Sequence, residues 1–469
     1  MKKTTTTLLL SIFLLSCNHG DPSDTPPPVE VCNAEKALAF PEAEGFGKYS
    51  TGARGVANPE VYIVSNLNDS GPGSFRDAVS QPGRFVVFSV SGIINLQSPV
   101  SISPNLTIAG QTAPGKGIVL YGQKVSFTGA NNTIARYFRI RLGNSSNLSK
   151  NTDASGIANG KHIMLDHMSF SWGLDEVFSI NWDNKGFEPD SITIQNSIIA
   201  QGLHRHNHSA GGLIQTTNGH ISILKSLYES NKTRNPKVKG RNEFVNNVIY
   251  NYGNQGNTYG HTVSGDGYIM GDSAGESQVN IINNYFVAGP LNVDNQATPF
   301  SRGTSTFHLY QSGNYYDNNK NGALDGSLVP QNTTAFPGNT PVQFMNAPFA
   351  YPFSTPSLSA AQAFYHVLQN AGANFPHRDQ VDDLIISEVS SKGTQGLYVY
   401  TENDLPLANN GLGNYPAYQV ARDSDSDGIP DSVEIKMGLN PRDATDALKV
   451  NKYCKNYLNI EVYINNIMN

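Results

Sequence analysis

A repeated strand pattern constrains this chain more than any other feature. From about residue 105 to residue 285, a run of alternating apolar residues is followed by a small or polar residue and another apolar residue. The positions that align in this unit are Phe138, Met168, Ile198, Leu227, Val248 and Tyr285. Their spacings are 30, 30, 29, 21 and 37 residues. Unequal spacings around one short strand motif predict a solenoid whose coils carry loops of different length.

We therefore predict an all-β chain built as a right-handed parallel β-helix. A β-sandwich is the alternative, but it would require hairpin turns roughly every 8–12 residues, and Asn-Gly or Asp-Gly turns between alternating runs are few. The composition agrees, since Gly, Asn, Ser, Thr and β-branched residues abound and favour short strands joined by turns. Residues 357–373 carry apolar side chains at helical spacing and end near Gly372, which predicts a short C-terminal helix.

The amino terminus has the layout of an export signal. A basic start is followed by an apolar run over residues 8–15, too short to span a bilayer, and by Cys17. This layout resembles a bacterial lipoprotein signal, which implies cleavage before Cys17, lipidation of its sulfur, and a mature chain at the outer membrane, on the cell surface or secreted. An ordinary secretory peptide is the alternative. Residues 18–37 read as a Pro-rich linker, and Cys32 and Cys454 either pair or remain two thiols.

Residues 423–434 follow the spacing of an EF-hand calcium loop. Oxygen-bearing side chains fall at positions 1, 3, 5, 9 and 12, with Gly at position 6 and a backbone carbonyl at position 7. The predicted ligands are Asp423, Asp425, Asp427, the carbonyl of Ile429, Asp431 and Glu434. Five carboxylates this close repel one another without a cation, so a plain acidic turn is the weaker alternative. We expect this loop to be structural and remote from any chemistry.

These signals divide the chain into five predicted parts. They are a lipoprotein signal at 1–17, a linker at 18–37, a β-helix at 38–350, an extension with one helix at 351–420 and a calcium-binding tail at 421–469.

A basic segment stands out in a chain of formal net charge −6. The stretch Asn231–Arg241 holds five cations in eleven residues and no acid, and it lies between two strand-like runs, so we expect an exposed loop. That local excess predicts an anionic partner, and a solvated basic loop is the alternative. The overall pI of about 6.0 argues against a general nucleic-acid binder, whose whole domain is usually basic.

Several motifs in order resemble the secreted bacterial pectate lyases of polysaccharide lyase family 1. They are Ala-Glu-Gly-Phe-Gly at 43–47, the stretch at 64–79 ending Phe-Arg-Asp-Ala-Val, the stretch at 106–115 ending Thr-Ala-Pro-Gly, Ile-Met-Leu-Asp-His at 163–167 and Arg-Asn-Pro at 234–236. The resemblance runs from about residue 40 to residue 290 and less tightly beyond, so it covers most of the mature chain.

The resemblance implies a Ca²⁺-assisted cleft that cuts homogalacturonan by β-elimination. In it, Arg234 is the base that removes the proton on C5 of a uronate, although a free guanidinium, with a pKa above about 12, is a poor base. Lys232, Lys237 and Lys239 are expected to supply an electropositive field and to bind substrate. The alternative for Arg234 is a clamp that only holds a substrate carboxylate.

The resemblance also implies a catalytic calcium site. Asp153 and Asp175 match family ligand positions, and oxygen ligands suit Ca²⁺. The family's third ligand falls on Ser179, and we predict Glu176 as its replacement, which requires a turn between residues 175 and 176 because strand neighbours face opposite ways. Asp166 is interpreted as a buried structural carboxylate rather than a ligand.

Two further groups of side chains have open assignments. A family lysine that binds substrate is replaced by Ala210, so His208 or Arg205 is expected to substitute, and the alternating histidines of residues 204–208 would otherwise suggest zinc. On another strand, Arg139 and Arg141 share a face, where they either contact uronates or pair, with Arg136, to Asp153 or Asp166.

The leading hypothesis is a pectate lyase, a carbon-oxygen lyase that acts with Ca²⁺ on an acidic polysaccharide. We expect a monomer without a nucleic-acid partner, which meets the membrane only through its lipid. A surface pectin-binding protein without turnover is the second hypothesis, motivated by Ser179 and Ala210. A β-helix hydrolase is the third, although hydrolysis requires acid and base carboxylates flanking the bond, and no clustered Asp pair accompanies Arg234.

Overall fold

This computed structural model describes residue 32 and residues 35–144, 147–271, 275–353 and 355–466. The predicted signal and its Cys17 lie outside the described residues. The strands, in chain order, are β1 Glu60–Val64, β2 Arg84–Phe88, β3 Gly92–Asn95, β4 Val100–Ser101, β5 Thr107–Ala109, β6 Ile118–Tyr121, β7 Val125–Ser126, β8 Ile134–Arg136, β9 Arg139–Arg141, β10 Ser155–Ile157, β11 Lys161–Asp166, β12 Ser169–Ser171, β13 Phe178–Asn181, β14 Asp190–Gln195, β15 Ile198–Ala200, β16 Leu213–Leu224, β17 Leu227–Glu229, β18 Lys237–Val245, β19 Val248–Tyr250, β20 Tyr268–Met270, β21 Ser277–Ile282, β22 Tyr285–Val287, β23 Phe300–Ser301, β24 Phe307–Ser312, β25 Tyr315–Asp317, β26 Ser327–Leu328 and β27 Gln343–Phe344. The helices are α1 Phe75–Ala78, α2 Ala360–Asn370, α3 Gln380–Ser390, α4 Asp431–Met437 and α5 Asn459–Asn466.

Three parallel sheets wrap around one core, which confirms the predicted parallel β-helix. Sheet A contains β4, β7, β10, β13, the first part of β16, the first part of β18, β20 and β23. Sheet B runs from β1 and β2 through β5, β8, β11 and β14 and the later parts of β16 and β18 to β21, β24 and β27. Sheet C contains β3, β6, β9, β12, β15, β17, β19, β22 and β25, with β26 added antiparallel.

Each coil turns sharply between sheets B and C. The corner residue adopts a positive φ that L-residues rarely visit. The corner residues of successive coils are Tyr137, His167, Asn196, Lys225, Asn246 and Asn283. Asparagine tolerates this conformation best among residues with a side chain, which accounts for part of the asparagine content of the chain.

A ladder of buried polar side chains follows these corners through the core. Ser197, Ser226, Asn247, Asn284 and Asn314 stack in consecutive coils, and each accepts a hydrogen bond from the backbone N–H of the coil before it, at 2.8–3.1 Å. The ladder satisfies donors that the bend leaves without a sheet partner, and buried polar groups are costly unless they are bonded.

The ladder corrects the alignment of the repeat by one residue. Ile198, Leu227, Val248 and Tyr285 pair in register as predicted, but in the earlier coils it is Arg139 and Ser169 that align with Ile198. In those coils Phe138 and Met168 fill the inner position, which later coils give to serine or asparagine. In the later coils, the apolar residue after each serine or asparagine packs outward beneath the helices.

Helices α2 and α3 cover the outer face of sheet C. The predicted helix is found at α2, where Ser359 and Gln362 form a capping box and Ala363, Phe364 and Val367 are buried. The turn after α2 lies against β15, because a Cβ on Gly372 would come within 2.5 Å of Ile198 Cδ1.

Buried ion pairs fasten α3 to sheet C and correct one expectation. Arg139 and Arg141 face neither a cleft nor Asp153 and Asp166. Arg139 donates to Asp382 at 2.9 Å, and Arg141 donates to both Asp379 and Asp382 at 2.6–2.9 Å.

Arg136 forms a structural ion pair with Asp166, which is one of the two alternatives that the sequence left open. Its Nε donates to Asp166 at 2.8 Å, and Gln195 and Asn196 complete the shell around that wholly buried carboxylate. Asp166 is therefore a structural group of sheet B, as interpreted from the sequence.

The C-terminal tail returns to the start of the β-helix. Cys454 forms a disulfide with Cys32, which settles the open pairing. In the described part of the chain, no helix is long and apolar enough to cross a membrane. The division of the chain near residues 350 and 420 stays a prediction.

We predict that Arg141→Met lowers the free energy of unfolding by about 3–5 kcal/mol, because it leaves two buried carboxylates with Arg139 as their one remaining cation. Urea denaturation measures this change. The matched control is Lys449→Met, since Lys449 pairs with Asp443 at the surface, with side chains 58% and 38% exposed, and such a pair contributes little to stability. Equal effects in the two variants would contradict a stabilising role for the buried cluster.

Candidate active site

A row of charged residues crosses the edge of sheet A where the chain enters each strand. Successive coils contribute Lys124, Asp153, the pair Asp175 and Glu176, His208, Arg234 and Asp266, and Arg302 follows β23. Parallel bridges join Glu176 to Ala210 and Ala210 to Thr233, so neighbours in this row stand about 4.8 Å apart along the helix axis. The members of the row from Lys124 to Arg234 line a cavity of about 500 Å³.

The acidic end of this cavity begins with Asp153. Its Oδ2 accepts a hydrogen bond from Lys124 Nζ at 3.1 Å, and its Oδ1 accepts one from the backbone of Glu176 at 3.2 Å. Burial raises the pKa of Asp153, and Lys124 opposes that shift. Lys124 thus helps to keep a partly buried carboxylate charged.

A turn before β13 brings both Asp175 and Glu176 to the cavity. Gly173 allows it, because a Cβ there would come within 2.1 Å of the Glu176 carbonyl oxygen. The two acids therefore precede the part of the strand in which neighbouring side chains alternate. Asp175 and Glu176 can thus face the same cavity, as the prediction for Glu176 requires. Ser179 lines the same cavity and accepts a hydrogen bond from the backbone of Leu213 at 3.1 Å.

The carboxylate oxygens fit a hard cation such as Ca²⁺. Ligand atoms of Asp175, Glu176 and His208 lie within 4.8 Å of one another. Asp175 Oδ1 is buried without a hydrogen bond of acceptable geometry, and its close neighbour is His208 Nδ1. Asp153 lines the cavity but does not belong to this tight group.

The loop that carries Arg234 is held as part of the hydrogen-bonded coils. Arg234 has a φ of +56°, and its carbonyl accepts a hydrogen bond from Gly212 at 2.8 Å, while Asn235 N–H donates to Gly267 at 2.8 Å. The buried Asn231 amide donates to Asn235 Oδ1 at 3.0 Å and to the Ile199 carbonyl at 2.9 Å. An uncommon backbone conformation is thus fixed from both neighbouring coils.

The environment of Arg234 favours loss of its proton. Burial lowers the pKa of the guanidinium, Asp175 opposes that shift, and Arg302 adds to it. The side chain is 26% exposed and forms an ion pair with Glu176. Arg302 in turn pairs with Asp266 at 3.0 Å, and Asp266 also accepts a hydrogen bond from Thr233 at 3.0 Å.

None of the three predicted lysines lines the cavity of Arg234. Lys232 Nζ donates to Asn207 Oδ1 at 2.6 Å, and burial lowers its pKa. Lys237 and Lys239 lie on the outer face of β18 on either side of the buried Val238, and Lys239 borders a separate cavity of about 240 Å³. Arg302, from a coil further along, is a cation that lowers the pKa of Arg234, and the expected roles of the three lysines stay predictions.

The histidine segment also differs from its prediction. Residues His204–His206 form a 3-10 turn rather than a strand, so the three histidines do not share a face. His204 is buried against the Tyr398 ring at 4.3 Å, while His208 lines the cavity. Arg205 donates to Asn144 and lies outside that lining, so its substitution for the missing lysine is not supported.

The sequence did not reveal Lys124, Asp266 or Arg302 as members of this row. Each is a single charged residue without a surrounding motif, and its position in the row depends on the length of the loop before it. Knowing which residues pair between neighbouring strands of sheet A would have identified all three.

Fold and site together define this protein as a parallel β-helix with acidic and basic side chains beside one cavity on sheet A. No protein-family model matches the chain. Probable pectate lyase C of Aspergillus flavus is 46% identical over 431 residues, covering 92% of this chain and 94% of its own. The protein of the same name from Emericella nidulans is 42% identical over 439 residues, covering 93% and 95%.

One solved structure is that of a pectate lyase from Bacillus sp. N165 in complex with trigalacturonate. It is 17% identical, with a TM-score of 0.46 over 70% of this chain and 98% of its own. On the strength of the two fungal relatives, the chain belongs to the pectate lyase family.

Proposed function

We propose that this chain cleaves homogalacturonan by β-elimination, with Arg234 as the base. The observation that carries the proposal is the placement of the half-buried Arg234 in one cavity with Asp153, Asp175 and Glu176. Membership of the pectate lyase family supports a polysaccharide lyase.

The base must lose its own proton before it can accept the one on C5 of a uronate. Burial and Arg302 both favour that loss. As the neutral Arg234 takes the C5 proton, the C–H electron pair forms the C4–C5 double bond and the C4–O bond breaks. The glycosidic oxygen leaves with its electron pair and takes a proton from water, and Arg234 returns its proton to solvent.

Asp175 and Glu176, with Asp153 beside them, would hold Ca²⁺ at the acidic end of the cavity. When bound, the ion would withdraw charge from a substrate carboxylate and so make the C5 proton more acidic. Lys124 orients Asp153 through its hydrogen bond, and the loop network of Asn231 and Asn235 holds Arg234 in position.

The direct test is the ultraviolet absorbance of products released from polygalacturonate. Elimination alone creates a conjugated double bond, so an increase in absorbance supports the proposal. New reducing ends without absorbance would indicate the hydrolase, and binding without any product would indicate the pectin-binding protein.

We predict that Arg234→Ala abolishes turnover and leaves polygalacturonate binding nearly unchanged, because a base acts in the transition state. The measurements are initial rate against substrate concentration and equilibrium binding. Arg205→Ala, whose guanidinium contacts Asn144 outside the cavity, is the control and should keep normal activity. If Arg234→Ala retained its maximal rate and only required more substrate, Arg234 would be a clamp.

We predict that Arg302→Met moves the rising limb of the pH–rate profile to higher pH. Arg302 lowers the pKa of Arg234, so removing its charge raises that pKa, and less neutral base is present at any given pH. Arg302→Lys keeps the charge and should restore most of the original profile. An unchanged limb in Arg302→Met would mean that another group controls it.

We predict that Glu176→Gln raises the Ca²⁺ concentration for half-maximal activity by about tenfold, since ligand charge tunes affinity for this cation. Ser179→Asp, which adds a carboxylate to the same cavity, should lower that concentration. Calorimetric titration with CaCl₂ provides a second readout. Asp183→Asn is the control, because Asp183 lines the same cavity outside the carboxylate cluster. An equal shift in its Ca²⁺ requirement would argue against Glu176 as a specific ligand.

We also propose that the chain is exported and that Cys17 carries lipid. The basic start, the short apolar run and Cys17 support this proposal, whereas the relatives are fungal and do not support a bacterial source. Mass spectrometry of the mature amino terminus tests it. A soluble, unmodified chain cleaved at another residue would indicate an ordinary secretory signal.

A further inference from the structure

A second acidic cluster lies in the tail, far along the chain from the cavity of Arg234. It contains acidic residues of the loop at 423–434 and also Asp446, which lies after that loop in the sequence. Ligand oxygens of Asp427, Glu434 and Asp446 lie within 4.8 Å of one another, as do those of Asp423, Asp425 and Asp427. Asp427 belongs to both groups, so the two sets form one continuous cluster.

Five carboxylate oxygens in this cluster are buried without a hydrogen bond. They are Asp425 Oδ2, Asp427 Oδ2, both oxygens of Glu434 and Asp446 Oδ1. Glu434 is wholly buried, and Asp427 and Asp446 are 3% and 6% exposed. A carboxylate that loses water without gaining a partner is strongly disfavoured, so a cation among these oxygens would stabilise them.

The other oxygens of the cluster are already used for positioning. Asp427 Oδ1 accepts a hydrogen bond from Ile429 N–H at 2.8 Å, and Asp446 Oδ2 accepts one from Asn440 N–H at 2.9 Å. These two carboxylates are therefore oriented by backbone N–H groups, and the second oxygen of each has no hydrogen bond. The nearby ion pairs given by the described residues, Arg422 with Asp431 and Lys449 with Asp443, do not involve these oxygens.

We propose that a calcium ion binds in the tail among Asp425, Asp427, Glu434 and Asp446, with Asp446 closing the site from outside the loop. Carboxylate oxygens from a flexible set of positions are the ligands that Ca²⁺ prefers. The predicted ligand Asp431 is left out of this set because it belongs to neither close group. Its oxygens accept hydrogen bonds from Ser424 N–H at 2.7 Å and Ser424 Oγ at 2.8 Å.

The ion would fix the tail over an apolar surface of the β-helix. Ile429, next to the ligands, packs with Phe85, Val87 and Ile460 in one cluster, on the outer face of sheet B. The loop backbone lies close to that face, since a Cβ on Gly428 would come within 2.8 Å of Val61 Cγ1. Without the tail this apolar face would meet water, which favours association between chains.

The test uses the full chain with its disulfide and measures amide hydrogen exchange in residues 423–447 by mass spectrometry, with CaCl₂ or after EDTA. We expect Ca²⁺ to slow exchange in this segment, and Asp446→Asn to need about tenfold more CaCl₂ for the same protection. The matched control is Asp443→Asn, because Asp443 lies at the surface three residues before Asp446. This variant should behave like the unmodified chain.

Exchange in residues 423–447 that does not respond to Ca²⁺ in the unmodified chain would overturn the proposal, whatever the variants do. Equal calcium requirements for Asp446→Asn and Asp443→Asn would remove Asp446 from the site. Because the readout is local to the tail, Glu176→Gln should leave it unchanged, so the tail site and the proposed catalytic site are tested separately.

Discussion

Backbone hydrogen bonding between parallel coils is the constraint on which the rest of this structure depends. It brings residues about 20 to 35 positions apart into lateral contact, as in the bridges from Glu176 to Ala210 and from Ala210 to Thr233. The corners can turn this sharply because positive-φ residues and the Ser197 to Asn314 ladder satisfy the backbone there. A shift of one coil would move every later charge along the cavity.

The electrostatics of the cavity follow from that register. Arg234 lies between carboxylates on one side and Arg302 on the other, and its loop cannot relax away because Gly212 and Gly267 hold it from both neighbouring coils. Partial burial weakens the hold of the guanidinium on its proton. The acids at the other end repel one another unless Lys124, Arg234 and a cation balance them, so base and metal site are coupled through Glu176.

Segments outside the coils stabilise the faces that the β-helix leaves apolar. Helix α3 brings Asp379 and Asp382 to two arginines on sheet C, and each buried charge is balanced by an opposite one. The tail covers sheet B near its start through Ile429 and its neighbours, and the disulfide of Cys32 with Cys454 ties the two ends together. The cavity lies on sheet A, where residues of β10 and β13 line it.

Local pattern in the sequence was enough for the β-helix and the helix near residue 360, because these depend on alternation and capping. Arg234 and its acidic companions were expected only from the family resemblance, and their roles stay predictions. Local pattern placed Phe138 and Met168 one residue out of register, since alternation does not say which side is the core. It also assigned the field at Arg234 to adjacent lysines. Tertiary structure alone decided which distant charges lie close together: Arg302 near Arg234, Asp382 beside Arg139 and Asp446 beside Glu434. Loop lengths set these neighbours, and no local rule fixes them.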